Sequence, residues 1–371
     1  MRIAFVHEYL NQFGGAERML QVMSAMFPEA PIYTLIYDAD LTGHVFDGRT
    51  VKTSFLQKLP LTKNHHRLFP LLMPLAIEQF DFSEYDVVVS ISASFAKGII
   101  TKPSTRHICY CLTPPRFLWD ESQKLVDEFN FTKPIKTLIP LFISYLRIWD
   151  REASSRPDAY WSISNFIKER VKKYYDQDST IIYPPVNVKK FRFPNPQIPT
   201  SSYFLMVGRL VPYKKFDVAI NAFNELGLPL KIAGSGPEIK QLRRKSAKNI
   251  EFLGLVPDDK LSELYFNSRA LIFPQEEDFG IVPLEAMASG KPVIAYKSGG
   301  TLETIVDGVT GLFFDDQNKD SLIKTVKSFD ANQFDPLACR RRAESFDVEV
   351  FKKRFKSELL APNKEQVASS K

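Results

Sequence analysis

Short runs of consecutive apolar, β-branched or aromatic residues recur along nearly the whole chain, each followed by an amphipathic segment. Ile3-Ala4-Phe5-Val6, Tyr85–Ile91, Arg106–Cys111, Ala159–Ile163 and Thr180–Tyr183 are five such runs in the first half, with a helix expected from Ala16 to Phe27. Strands that are apolar on both faces must be buried on both faces, and strands separated by helical segments pair in parallel. The pattern stops at Pro184-Pro185 and at Phe191–Pro199, a proline-rich connector that cannot continue a helix or a central strand. It restarts with Tyr203–Val207 and runs through Leu228–Ala233, Ile250–Leu253, Ala270–Phe273 and Pro292–Ala295. The expectation is an α/β chain of two doubly wound, Rossmann-like parallel-sheet domains, residues 1–185 and 186–347. They would face a cleft at the carboxyl ends of both sheets, where such folds bind ligands. A last amphipathic segment, Val348–Leu360, can close either half. A length of 371 residues fits two cores better than one.

Composition narrows the function classes. Lys and Arg number 49 against 43 Asp and Glu, a net +6, which suits an anionic substrate or lipid surface and falls short of a dedicated nucleic-acid binder. Three cysteines, Cys109, Cys111 and Cys339, give neither a disulfide framework nor a paired zinc motif, so a reducing, cytoplasmic setting is expected. MRIAFVHEYL lacks the apolar region and cleavage site of a signal peptide, and no stretch has the length of a membrane span.

Chemistry concentrates in the second half. In Glu277-Asp278-Phe279-Gly280-Ile281-Val282-Pro283-Leu284-Glu285 a strand leads into an acidic loop and then a helix starting near Val282-Pro283. Gly280 lets backbone approach a ligand, and the first amides of the helix can hold an oxyanion. Glu277 can accept hydrogen bonds from sugar hydroxyls and Glu285 from a vicinal diol such as a ribose. The plainer alternative is a solvated acidic loop that offsets the helix dipole. Gly208-Arg209-Leu210-Val211-Pro212-Tyr213-Lys214-Lys215 places two cations after a strand, Arg209 able to fork two diphosphate oxygens and Lys214 adding a point charge, unless this is an ordinary surface loop. Asn11–Arg18 brings Gly14 and Gly15 to the start of a helix, suited to a phosphate or sugar contact. It is not GxGxxG, and no acidic residue ends a clear second strand about 20 residues on, which disfavours a nicotinamide dinucleotide. Gly299-Gly300 opens another helix and can line the diphosphate; Asp307–Phe314 reads as a tight hairpin. Gly234-Ser235-Gly236 is either close to phosphate or a plain turn.

These motifs, in this order, resemble family 4 of the retaining nucleotide-sugar glycosyltransferases, which have the two-domain GT-B fold. The E-x7-E string that runs on into EAMASGKPVIA is the most specific element, with GRL-x3-K next. GGAER, DVVVSISAS and HICYCLTPPRFLWD resemble a bacterial or archaeal subgroup linked to mannosyl transfer in surface-polysaccharide assembly. The resemblance implies that Arg209 and Lys214 hold the donor diphosphate, Glu277 the transferred sugar and Glu285 the ribose. It puts the backbone of Phe279, Gly280 and Ile281 near sugar and phosphate, Val256 in the stretch beside the base, and Gly15 opposite the diphosphate. It assigns Val348–Leu360 to the N-terminal domain. Two positions depart from the family: Lys215 stands where glycine usually follows the motif lysine, and Leu112 where the subgroup often has a sugar-contacting histidine. His107, at a strand start, reads as a packed residue rather than a replacement.

The function expected is retaining transfer of a hexose, mannose from GDP-mannose before a UDP-sugar, to a lipid-linked or polysaccharide acceptor, with no cofactor. Other readings are a nucleotide-sugar epimerase and a non-catalytic sugar-nucleotide-binding subunit. Asp38-Ala39-Asp40 and Asp176-Gln177-Asp178 have the spacing of a metal motif, but such pairs arise by chance among 43 acids, and no metal is expected. Between Gly48 and Ile77 there is no acidic residue, and Lys58, Lys63 and Arg67 alternate with Phe69 and other apolar side chains. This reads as a contact with an anionic membrane surface or a lipid acceptor, as does Phe131–Trp149; core packing with solvated lysines is the alternative.

Overall fold

The computed structural model describes residues 1–60, 62, 66, 69–120, 133–193 and 203–361, without the side chains of 133–138. Lys63 and Arg67, residues 194–202 of the connector and the tail beyond Ala361 lie outside the described residues. The chain divides into two compact units: Met1–Tyr183 together with the chain from Lys352 on, and Pro184–Phe351.

The N-terminal unit is built on seven parallel strands: β1 (Ile3–Leu10), β2 (Ile32–Tyr37), β3 (Val51–Thr53), β4 (Val87–Ser92), β5 (Arg106–Cys111), β6 (Ala159–Ser162) and β7 (Ser179–Ile181). Their order is β3-β2-β1-β4-β5-β6-β7, with Val6 of β1 opposite Tyr33 on one side and Ser90 on the other. Its longer helices are α1 (Gly15–Met26), α2 (Lys133–Ala153) and α3 (Asn165–Tyr175). α1 buries Met19, Leu20 and Met23, one face of a helical repeat. α3 starts where the Ser164 hydroxyl accepts the Ile167 N–H at 3.1 Å, a serine N-cap.

β1 is longer than the apolar run suggests, because it continues through His7 and Glu8, both buried. Glu8 is accommodated by four donors at and just beyond the end of β4: Ser92 Oγ at 3.2 Å and the amides of Ala93 at 2.9 Å, Ser94, and Ala96 at 3.3 Å. β2 and β3 add two strands to those expected. β2, Ile-Tyr-Thr-Leu-Ile-Tyr between Pro31 and Asp38, carries the same apolar signature as the expected strands but falls outside the runs named above. Within the basic, apolar segment several of the apolar residues turn inward, while Leu71 is exposed. Leu56 and Met73 are core, and Phe55, Leu59, Phe69 and Leu72 pack against it, because the outer face of β2 needs cover; Lys58 is exposed.

The C-terminal unit has six parallel strands: β8 (Tyr203–Val207), β9 (Leu230–Ala233), β10 (Ile250–Gly254), β11 (Ser268–Phe273), β12 (Val293–Tyr296) and β13 (Gly311–Phe314), in the order β10-β9-β8-β11-β12-β13. Around them lie α4 (Phe216–Leu226), α5 (Asp258–Phe266), α6 (Ile281–Ala288), α7 (Lys319–Ser328) and α8 (Pro336–Glu344). Phe204, Phe216, Phe223, Ile232, Ile272 and Leu322 form the centre of its core. The hairpin expected at Asp307–Phe314 is absent. Gly308 N–H donates to the Gly311 carbonyl at 2.8 Å in a local turn, and Gly311–Phe314 then joins β12 in parallel, since the chain returns through a helical turn at Thr301–Thr304.

The last helix, α9 (Val348–Leu360), begins in the C-terminal unit and from Lys352 belongs to the N-terminal one. There Phe355 is buried with its ring 5.2 Å from Trp161 and 6.2 Å from Phe27, a burial worth roughly 1.5–3 kcal/mol. Arg106 donates to the carbonyls of Leu359 at 3.0 Å and Ala361 at 2.8 Å, closing the helix end.

Candidate active site

In an open parallel sheet the loops part at the strand pair where the order reverses, leaving a ligand-sized crevice at the carboxyl edge. In the C-terminal unit that pair is β8 and β11. The loop after β8 carries Arg209 and Lys214; the loop after β11 carries Glu277. The topology therefore assembles residues far apart in sequence.

Leu210 is fully buried and anchors the first loop, while the Arg209 side chain before it is exposed. A Cβ on Gly234 would overlap the Gly208 carbonyl, and Leu210 N–H donates to the Ser235 carbonyl at 2.9 Å. The Gly234-Ser235-Gly236 turn is therefore a backbone support for the Arg209 loop. The loop ends in a single 3-10 turn, Pro212–Lys214, and Lys215 caps α4 in the left-handed region at φ 53°. That conformation explains the glycine which the resembled family carries there. Lys214 Nζ lies 5.2 Å from the Tyr213 ring centroid and forms an ion pair with Glu277. Both side chains are mostly enclosed, 15% and 23% exposed, so the pair is less screened than a surface contact.

The acidic loop is held from beneath. Gly300 N–H donates to the Glu277 carbonyl at 2.8 Å, and a Cβ on Gly300 would collide with the Phe279 backbone. Ser298 Oγ donates to Glu276. The Phe279 ring is core, 5.6 Å from Phe346, so only its backbone is offered to a ligand. Gly280 precedes α6 at φ 95°, and Ile281 is the first helical residue, slightly ahead of the expected start. Glu285 is half-buried and accepts a 2.8 Å hydrogen bond from Tyr265 Oη on α5. At the other end of α6, Arg340 of α8 donates to the Ala288 carbonyl and, at 3.2 Å, to that of Phe191. Val256 is half-buried beside Leu255, whose side chain is 81% exposed beyond the end of β10.

The structure thus brings Lys214, Glu277, the Phe279–Ile281 backbone and Glu285 onto adjoining elements of one unit. Gly14 and Gly15 belong to the other. There Gly14 caps α1, its N–H donating to Glu17 at 2.7 Å, and Gly15 is exposed. At the reversal point of that sheet, between β1 and β4, the converging amides are already taken by Glu8. Leu112 donates its N–H to the Ser92 carbonyl at 2.8 Å. His107 is fully buried against Ser90 Oγ at 2.8 Å, and burial pushes its pKa down to about 3, as expected of a packed residue. Asp38 does follow a strand, β2, but it caps the Leu41 amide at 3.1 Å, Asp40 contacts His44 at 3.2 Å, and Asp176 and Asp178 share Lys172. Tyr265, Ser298 and Arg340 were missed in the sequence. At its spacing from Leu261, Tyr265 reads as packing, and nothing marks the partner of its hydroxyl.

The fold matches that of the Anabaena protein HepE, solved in complex with UDP and glucose: TM-score 0.71, 17% identity, 98% of this chain and 100% of that one. The chain is 26% identical to the alpha-1,3/1,6-mannosyltransferase ALG2 of Dictyostelium discoideum, over 91% of this chain and 89% of that one. It is 28% identical to a GDP-mannose-dependent alpha-(1-6)-phosphatidylinositol monomannoside mannosyltransferase of Mycolicibacterium smegmatis, over 53% and 58%. Against other curated relatives it spans about half their length. The chain has the GT-B fold. Residues 187–346 match the family described as glycosyl transferases group 1, so its C-terminal unit is a domain of that family.

Proposed function

We propose that this chain is a glycosyltransferase that moves a mannosyl residue from GDP-mannose to a lipid-linked or polysaccharide acceptor with retention of anomeric configuration. The observation that carries the reading is the meeting of Lys214 and Glu277 at the reversal point of the C-terminal sheet, with Glu285 on the helix that follows. Mannosyl transfer is favoured by two relatives whose names state it, and GDP-mannose by the one whose name specifies that donor.

Glycosyl transfer develops positive charge at the anomeric carbon and negative charge on the departing diphosphate. In this reading Arg209 and Lys214 bind the diphosphate and stabilise it as it leaves, each contributing about 2–4 kcal/mol. Glu277 orients the sugar through its hydroxyls, Glu285 receives the ribose diol, and the Gly280 and Ile281 amides face the sugar and phosphate. The acceptor attacks from the face that the diphosphate leaves, and a donor phosphate oxygen takes the acceptor proton. Because the two cations carry the leaving group's charge, turnover is expected to survive chelation.

A lipid-linked acceptor is supported by Leu141, Phe142, Tyr145 and Ile148 of α2, which are exposed along one side of that helix. Among the described residues no helix is long and apolar enough to cross a membrane. The contact proposed is with an anionic surface, and co-sedimentation with anionic vesicles should fall when Leu141 and Ile148 are replaced by serine.

The reading is tested by a thermal-shift panel of GDP-, UDP- and ADP-sugars. A donor at a hundred times its Kd adds about 2.7 kcal/mol. Stabilisation by GDP-mannose above the others supports the assignment, preference for a UDP-sugar replaces the donor, and no shift with any rejects the site. Acceptor-independent epimerisation of the donor would move the chain to the isomerase alternative.

A further inference from the structure

Tyr265 is an aromatic side chain that the structure connects directly to a carboxylate of the proposed donor site. Its ring is fully buried and lies 5.9 Å from that of Phe191 in a T-shaped contact. Its backbone is also fixed, the carbonyl accepting from Ser268 Oγ at 2.9 Å and from the Asn267 amide that ends α5. The hydroxyl therefore has little freedom of its own. It emerges against α6 and donates to Glu285 Oε2 at 2.8 Å.

A buried hydroxyl must find an acceptor, and one that finds a carboxylate makes a charge-assisted bond about twice as strong as a neutral one. For Glu285 the consequence is orientation. A glutamate has three side-chain torsions, and a carboxylate that is to accept two neighbouring hydroxyls must hold its plane in one attitude. Left to itself it would lose that freedom on binding, at the expense of affinity.

We propose that Tyr265 is a positioning residue that holds the Glu285 carboxylate ready for a ribose diol, and so determines discrimination between ribo- and deoxyribonucleotide donors. This rests on the reading of Glu285 as the ribose acceptor. Tyr265 need not touch the donor. Its contribution is confined to the two sugar hydroxyls and leaves base and diphosphate binding unaffected.

The test is calorimetric titration of the full chain and its Tyr265→Phe variant with GDP and with 2′,3′-dideoxy-GDP (UDP and its dideoxy counterpart if the donor panel selects uridine). Tyr265→Phe keeps the ring and removes only the hydroxyl. The expected result is a loss of about tenfold in affinity for the ribonucleotide, with the dideoxy compound bound within twofold of wild type. Equal losses for both ligands would show a merely structural role and overturn the proposal, as would no loss for either. Because the readout is a ratio of affinities within one variant, a smaller folded fraction leaves it unchanged. Glu285→Gln separates the two levels. If it abolishes the ribo preference and Tyr265→Phe does not, the positioning role fails alone; if it leaves the preference intact, the ribose reading fails and the proposal with it.

Discussion

Lys214 and Glu277 form an ion pair across the two loops that leave β8 and β11, the central strands where the C-terminal sheet reverses. Opposite charges of this kind serve two ends. They neutralise each other, and in the proposed reading a donor would part them into a cation for phosphate beside an anion for hydroxyls.

The pair distinguishes stability from chemistry in a single experiment. Lys214→Ala should lower turnover at saturating donor by about 10²-fold, since a preorganised cation at a leaving group acts mainly in the transition state. The exchange Lys214→Glu with Glu277→Lys keeps an ion pair and puts each charge on the wrong loop. Its melting temperature should stay near that of wild type while activity stays as low as in Lys214→Ala. Recovery of turnover in the exchanged protein would show that the pair acts only as a strut.

Both members of this pair stand in motifs that are legible in the sequence, as are the two α/β halves, because buried strands and glycine loops leave local signatures. What pairs with what is not local. Gly234 supports Gly208 and Gly300 supports Phe279 through backbone approaches that only sheet order creates. β3 is a related case. The three residues of β3 carry no periodicity, and their pairing comes from β2; β2 itself has a strand-like composition. Composition alone does not say whether the apolar side chains around Lys58 face lipid or the core; sheet packing puts Leu56 in the core.

Lys97 and Asp150 form a buried ion pair in the N-terminal unit, with both side chains 1% exposed. Lys97 also donates to the Ser94 carbonyl at 2.6 Å, while Asp150 Oδ2 accepts from Trp119 Nε1 and Tyr175 Oη, each at 2.9 Å. Removing one partner strands a buried charge, so Lys97→Met should cost about 3–5 kcal/mol in chemical unfolding. Adding Asp150→Asn removes the orphaned charge and keeps an acceptor for Trp119 and Tyr175, and part of that loss should return. A double variant no more stable than the single one would contradict this account.

His107 gives the N-terminal unit a pH dependence with a definite sign. Burial lowers its pKa from 6.5 to about 3, and the Arg156 guanidinium acts in the same direction. Above pH 6.5 the imidazole is neutral in both states and its contribution is fully present. As pH falls from 6.5 towards 3, the unfolded chain takes up a proton that the folded one refuses, and stability declines by up to about 1.4 kcal/mol per pH unit. His107→Gln retains a partner for Ser90 and removes the titration. Between pH 6.5 and 4.5 wild type should lose about 2–3 kcal/mol more than this variant in urea unfolding. Parallel pH profiles would mean that the imidazole is accessible to protons.

Lys215 and Lys214 are adjacent, both basic and both in the motif loop, yet the structure assigns them opposite consequences. Lys215 occupies φ 53°, ψ 36°, one of three non-glycine residues with positive φ among those described, and it does so as the cap of α4. A side chain in that region costs roughly 1–2 kcal/mol, part of which glycine gives back through its greater freedom in the unfolded chain. Lys215→Gly should therefore stabilise the C-terminal unit by about 0.5–1 kcal/mol, a rise of about 1–4 °C in its melting temperature. Turnover should be nearly unchanged, in contrast to Lys214→Ala. A large loss of activity in the glycine variant, with the melting temperature raised, would instead place the Lys215 ammonium among the groups that hold the donor.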